Sequence, residues 1–142
     1  MQRHYLALLA AITLMSSIPL LSQQTTIRKV PAPYTSAGSG KEMYRAYCAS
    51  CHGRDAKGDG PAAGALKVPP ADLTALAKKN NGKFPSNHVS AVLSGQGEVT
   101  AHGSQEMPVW GPVFSRISQG SQPEIQQRIS NLTLYLKTLQ KQ

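Results

Sequence analysis

The two cysteines of this chain lie three apart and a histidine follows the second at once, in AYCASCH at residues 46–52. No other feature limits the fold so sharply, because it fixes two sulfurs and an imidazole within one turn of backbone. Three chemistries use such a pair: a redox disulfide, half of a zinc site, or covalent attachment of haem. The remaining sequence has to decide among them.

The N-terminus bears on the compartment. Arg3 precedes an apolar run, YLALLAAITLMSSIPLL at residues 5–21, softened by Ser16, Ser17 and Pro19. A short basic region followed by a short apolar one is the pattern of a secretory signal. The run falls just short of the roughly 18 or more apolar residues expected of a spanning helix. Residues 1–22 are therefore expected to be a signal peptide cut near Ser22, with an uncleaved membrane tether as the alternative. No cysteine follows the run to take a lipid. Residues 23–39 are polar, carry two prolines and show no periodicity, so they read as a flexible arm. Residues 40–142 are left as one small domain.

That domain has few large apolar side chains outside the signal, and a bulky prosthetic group would help to fill its core. The chain holds 15 basic against 7 acidic residues. Such a balance permits an acidic protein, an anionic membrane or nucleic acid as partner. No run of five like charges is present, and export speaks against nucleic acid. Lys57, Lys67, Lys78, Lys79 and Lys83 all follow the cysteine pair, where they could form a docking face for an acidic redox protein.

Helical spacing dominates the local pattern. Met43, Tyr44, Tyr47, Cys48 and Cys51 mark one face of a helix over residues 41–51. Residues 53–70, rich in Gly and Pro, read as a long structured loop. Asp72 can cap a short helix running to Lys79, and Ser86 another over residues 87–93 that stops at Gly95. Residues 95–112 read as loop again. Ser121 and Glu124 form a capping-box pattern with Pro123 in the first turn. Ile125, Ile129, Leu132, Leu136 and Leu139 then make one apolar stripe. No segment alternates as a strand would, so the domain is expected to be all-α, short helices and long loops wrapped around something.

The three chemistries now separate. A thioredoxin-like disulfide needs a βαβ setting, which is not visible, and leaves His52 unexplained. A zinc site could recruit His88 and His102, but these lie 14 residues apart, unlike the close spacing of compact fingers, and again His52 is idle. Covalent haem uses every residue: Cys48 and Cys51 share a helix face and can bond the two vinyl groups on one haem edge, and His52 then reaches the iron. For the second axial position, Met1, His4 and Met15 fall in the signal and Met43 sits on the attachment helix itself. Met107, His88 and His102 remain. Met107 in QEMPVWGP is the preferred ligand, because Pro108 and Pro112 stiffen its loop; His102 is the minor alternative.

With these motifs in view the chain resembles the class I c-type cytochromes, the small bacterial monohaem kind, over residues 40–139. The resemblance rests on GKEMYRAYCASCHG, the Gly-rich run at 57–63, PPADLT at 69–74, MPVWG at 107–111 and NLTLYLKTL near the end. It implies the cytochrome c fold, in which the N- and C-terminal helices cross, Gly40 allows close approach, and Leu132, Tyr135 and Leu136 make contact. It also implies that a carbonyl of Pro69 or Pro70 accepts a hydrogen bond from the His52 ring, and that Trp110 packs near the haem edge. The function it implies is that of a periplasmic one-electron carrier, not an enzyme, with haem c on Cys48 and Cys51 and iron held by His52 and Met107. Partners would be a membrane cytochrome complex, an oxidase or a dehydrogenase. Two alternatives stand beside this: a haem sensor or weak peroxidase in which Met107 dissociates, and an electron-transfer subunit of a larger membrane complex.

Overall fold

A computed structural model of the chain describes residues 30–96 and 107–141. The expected signal, the first part of the expected arm (23–29) and His102 lie outside the described residues.

Among the described residues the secondary structure is helical, with no strand. Helix α1 comprises three consecutive segments, an α turn at Gly40–Met43, a π-helical stretch at Tyr44–Cys48 and an α turn at Ala49–His52. Ser39 starts it by accepting the Glu42 N–H, one of the donors that a helix cannot satisfy internally. The expected apolar face is the buried one: Met43, Tyr44, Tyr47 and Cys48 are buried and Cys51 is half-buried. Helix α2 is Leu76–Lys79, led by a 3-10 turn at Leu73–Ala75. Asp72 caps that turn as expected, accepting from Thr74 N at 2.8 Å and Thr74 Oγ1 at 2.6 Å.

Helix α3 is Ser86–Ser94. Ser86 is its first helical residue and not its cap; the cap position is Pro85, without a side-chain bond. Gly95 ends the helix in the left-handed conformation, as its place in the sequence predicts. Helix α4, Trp110–Ile117, takes up part of the expected loop over residues 95–112. Gly111 and Pro112 look like loop residues, but they occupy the first turn, where proline's missing N–H removes no internal bond. Helix α5, Gln122–Thr138, starts where Ser121 predicts, yet the capping box does not form. The Glu124 carboxylate instead accepts from Arg128 Nη2 at 2.7 Å, one helical turn on.

The α1–α5 crossing organises the domain. Gly40 lies so close to α5 that an added Cβ would strike the Asn131 carbonyl and sit 2.7 Å from Tyr135 Cβ. Tyr44 and Tyr135 pack with ring centroids 5.5 Å apart. Ile125, Ile129, Leu132 and Leu136 are buried along the predicted stripe and Leu139 is half-buried.

A buried polar chain ties this frame together. Arg128 is fully buried, and besides Glu124 it donates from Nε to Ser118 Oγ at 3.0 Å and from Nη1 to Thr35 Oγ1 at 3.2 Å. Tyr47 gives its one hydroxyl proton to the Pro33 carbonyl at 2.7 Å, so the Thr35 hydroxyl donates to Tyr47. Asn131 holds the Ala37 carbonyl at 2.9 Å. Residues 33–37, expected to be part of a flexible arm, are thus bound to α1 and α5, because a guanidinium buried without partners would be costly.

Candidate functional site

The end of α1 is built to present His52. Three carbonyls of its last residues are taken by the following loop: Gly60 N donates to Cys51 O at 3.0 Å, Ala62 N to Ser50 O at 2.9 Å and Gly58 N to His52 O at 2.9 Å. The Gly-rich sequence permits this fold-back. Gly58, at φ 87°, lies against the Pro70 carbonyl, leaving no room for a side chain. The Tyr44 hydroxyl adds a 2.7 Å bond to Gly53 O. The long loop over residues 53–70 therefore braces the histidine from behind.

His52 is buried, and its Nδ1 lies 3.0 Å from the Ala71 carbonyl. A carbonyl can only accept, so Nδ1 carries the proton and Nε2 keeps its lone pair. Burial, opposed by that hydrogen bond, lowers the affinity of the ring for a second proton. Neutral imidazole with a free Nε2 is the form that binds a metal. The acceptor corrects the expectation placed on Pro69 and Pro70. Ala71, one residue further, supplies the carbonyl, while Pro70 lines the adjacent cavity and Pro69 is exposed. Side-chain identity could not have told these apart, because every residue has a carbonyl and only backbone direction selects one.

The cavity is where the sequence-predicted residues meet. Cys48, Cys51, His52, Met107 and Trp110 all line it, with Tyr47 beside them. Apolar residues from the loop, α2, α3 and α5 make up most of the rest, among them Val68, Leu73, Leu76, Val89, Leu93 and Leu136. His88 and Lys79 also border it, both exposed to solvent. The sequence reading put Lys79 on a docking face and Tyr47 on the apolar face of α1, but brought neither of them, nor α3, to the cavity. Periodicity marks Val89 and Leu93 as apolar but cannot say that they face a cavity.

The donor set fits a haem. Two sulfurs on one helix face border the cavity beside a neutral imidazole and a thioether, within apolar walls. Both cysteines are free, and burial pushes the Cys48 thiol up to about 12. Nucleophilic or metal-binding cysteines have lowered values, so the direction of this shift does not favour disulfide exchange at Cys48. Among the described residues no group of three or more His, Cys, Asp and Glu could hold a metal ion, and the donor set sought for zinc is not assembled there. Trp110 brings a donor to the same lining. Its Nε1 is buried with no hydrogen-bond partner among the described residues, a state that costs roughly 1–3 kcal/mol unless a ligand supplies an acceptor.

Comparison with known proteins agrees with this geometry. A family described as cytochrome C oxidase, cbb3-type, subunit III matches residues 35–119, which include the cysteine pair, His52, Met107 and Trp110. No curated protein and no solved structure matches the chain.

Proposed function

We propose that this chain is an exported one-electron carrier, on the premise of its family: it belongs to the cytochrome C oxidase, cbb3-type, subunit III family. It is a c-type cytochrome of all-α cytochrome c fold, with covalently bound haem c and Cys48 and Cys51 in the attachment motif, and it transfers electrons. The finer reading assigns iron ligation to His52 and Met107. The observation that carries it is the meeting of Cys48, Cys51, His52 and Met107 on one apolar cavity.

Bound haem supplies reversible one-electron exchange at its iron. The protein's part is to hold that centre still and dry. His52 offers Nε2 while Ala71 fixes the ring through Nδ1, an arrangement that sets the orientation and basicity of a ligand. Met107 offers a neutral thioether, which favours ferrous iron relative to a second histidine. If His52 and Met107 both held the iron, small substrates would be kept from it, and the protein is read as a carrier and not an enzyme. Leu73, Leu93 and Leu136 exclude water from the cavity.

Export to the periplasm rests on the apolar N-terminal run and on covalent haem attachment. Among the described residues no helix is long and apolar enough to cross a membrane. The partners are redox proteins of a respiratory complex, met through an acidic surface.

The test is an absorption spectrum of the purified holoprotein, oxidised and reduced, beside Met107→Ala. The expected result is a c-type reduced spectrum together with the weak far-red charge-transfer band of ferric thioether-ligated haem, lost in the variant. A band unchanged by Met107→Ala, or absent from the wild type, overturns ligation by Met107.

A further inference from the structure

Met107 is joined to helix α4 by Pro108 and Val109 alone, so what holds the helix also holds the thioether. Helix α4 is gripped along its whole length. At its start, Gly111 lies so close to α3 that an added Cβ would strike the Ser94 carbonyl. The Tyr47 ring packs against Trp110 and Phe114, with centroids 5.3 and 6.0 Å away. At its end, the buried Ser118 hydroxyl accepts from Arg128 Nε at 3.0 Å.

Two of these grips belong to one network. Tyr47 is buried, and its hydroxyl fills both of its roles: it donates to the Pro33 carbonyl and accepts from Thr35 Oγ1, each at 2.7 Å. The same Thr35 oxygen accepts from Arg128 Nη1. Residues 33–35 thus fix the hydroxyl end of Tyr47, while its ring meets α4 and lines the cavity. Tyr47 immediately precedes Cys48, so the side chain that meets α4 is also tied to the attachment site. In a densely packed interior, a side chain locked at both ends passes position on to its neighbours.

We infer that Tyr47 is a positioning residue for Met107: its hydroxyl, held by Pro33 and Thr35, keeps its ring against α4 and so keeps the thioether at the iron. This rests on the reading of Met107 as axial ligand and adds what holds it there. A neutral thioether is a weak ligand, and its segment needs support from elsewhere in the fold. Loosening the network raises the fraction of molecules in which Met107 has withdrawn. That fraction sets the apparent affinity of the iron for an external ligand.

The experiment titrates the ferric holoprotein with cyanide, followed by haem absorption well below the melting temperature. Tyr47→Phe keeps the ring and removes both hydroxyl bonds, leaving the Pro33 carbonyl without its donor. Its apparent Kd for cyanide should be about tenfold lower than that of the wild type, the worth of one hydrogen bond. In a Met107→Ala background the same substitution should change nothing, because no thioether is left to place. Equal affinities in wild type and Tyr47→Phe overturn the inference. A gain that persists undiminished in the Met107→Ala background overturns it as well, since the hydroxyl would then shape the pocket without regard to Met107. If Tyr47→Phe fails to fold, Thr35→Ala removes the same bond from the other side, and the same results decide. The far-red band separates this from the ligation reading: a wild type that shows the band, with no gain in cyanide affinity on substitution, loses only the Tyr47 assignment.

Discussion

Asp72 is a clear case of what a single residue fixes here. Its carboxylate takes both the N–H and the hydroxyl of Thr74 and so starts the helical run that brings Leu73 and Leu76 to the cavity. The Thr74 side-chain bond, helped by its N–H and by the charges of Lys141 and Lys79, holds this carboxyl below its ordinary value of 3.8. A lowered folded-state value means that the unfolded chain binds the proton first. The stabilisation is therefore present above 3.8 and is lost as pH falls through the lower, folded-state value. Asp72→Ala should cost about 1 kcal/mol at neutral pH, as loss of a helix cap usually does, and much less in acid. Denaturant titrations of wild type and variant should diverge at neutral pH and converge below that window; an equal gap at both would remove the ionised carboxylate from the account. At this scale the sequence was most legible where side-chain chemistry is peculiar. Cys48 and Cys51 could be named because few roles use two thiols three apart with an imidazole beside them, and the structure brings His52 and Met107 to the same cavity. Ala71 could not, since its contribution is a carbonyl, and Glu124 was misassigned because a guanidinium one turn away outcompeted the helix end for its carboxylate.

At the scale of elements, the α1–α5 crossing and the place of Gly40 in it followed from the resemblance to c-type cytochromes, whereas the Ile125–Ile129–Leu132–Leu136 stripe was legible from spacing alone. The glycine is the more restrictive half. Gly40→Ala would drive a methyl into the Asn131 carbonyl, which is backbone and cannot swing aside. Overpacking of this kind typically costs about 1–3 kcal/mol, and immovable backbone puts Gly40→Ala at the upper end. A drop of several degrees in the melting temperature of the holoprotein, with an unaltered reduced spectrum, is the expected result. An unchanged melting temperature would mean that the helices part without penalty and that the crossing does not depend on glycine. Helix α4 escaped prediction because Gly111 and Pro112 signal a break by composition, whereas their place in a first turn makes them harmless. The π-helical stretch at Tyr44–Cys48 has no sequence marker either. Two of its side chains bond outside the helix, Tyr44 to Gly53 and Tyr47 to Pro33 and Thr35.

At the scale of the whole molecule the site is a composite: α1 gives the sulfurs and imidazole, the loop and α2 the floor, α3 and α5 apolar walls, and the segment after residue 106 the thioether. Such closure from distant segments is what a sequence conveys least, and it is also what places charge near the mouth. Lys79 borders the cavity, and Lys57, Lys67, Lys78 and Lys83 are exposed in the same third of the chain, within a net charge of +8. Exposed charges of one sign do little for stability but act over a Debye length of about 10 Å at 0.1 M salt, enough to orient an approaching acidic partner. Steering of this kind raises association rates by about 10- to 1000-fold at low ionic strength. Lys79 is the residue to change, because it borders the cavity, and Lys78 adjoins it in the same turn. A Lys78→Glu/Lys79→Glu variant should therefore reduce the second-order electron-transfer rate with an acidic redox partner at low salt, by at least tenfold if the lower bound of steering applies. Its reduced spectrum should be unaltered, and the difference from wild type should fade as salt is added. Stopped-flow rates at a series of ionic strengths separate the outcomes. Equal rates at low salt would move the docking face away from the cavity rim. A deficit that persists at high salt would mean that the lysines act through the haem environment and not through encounter.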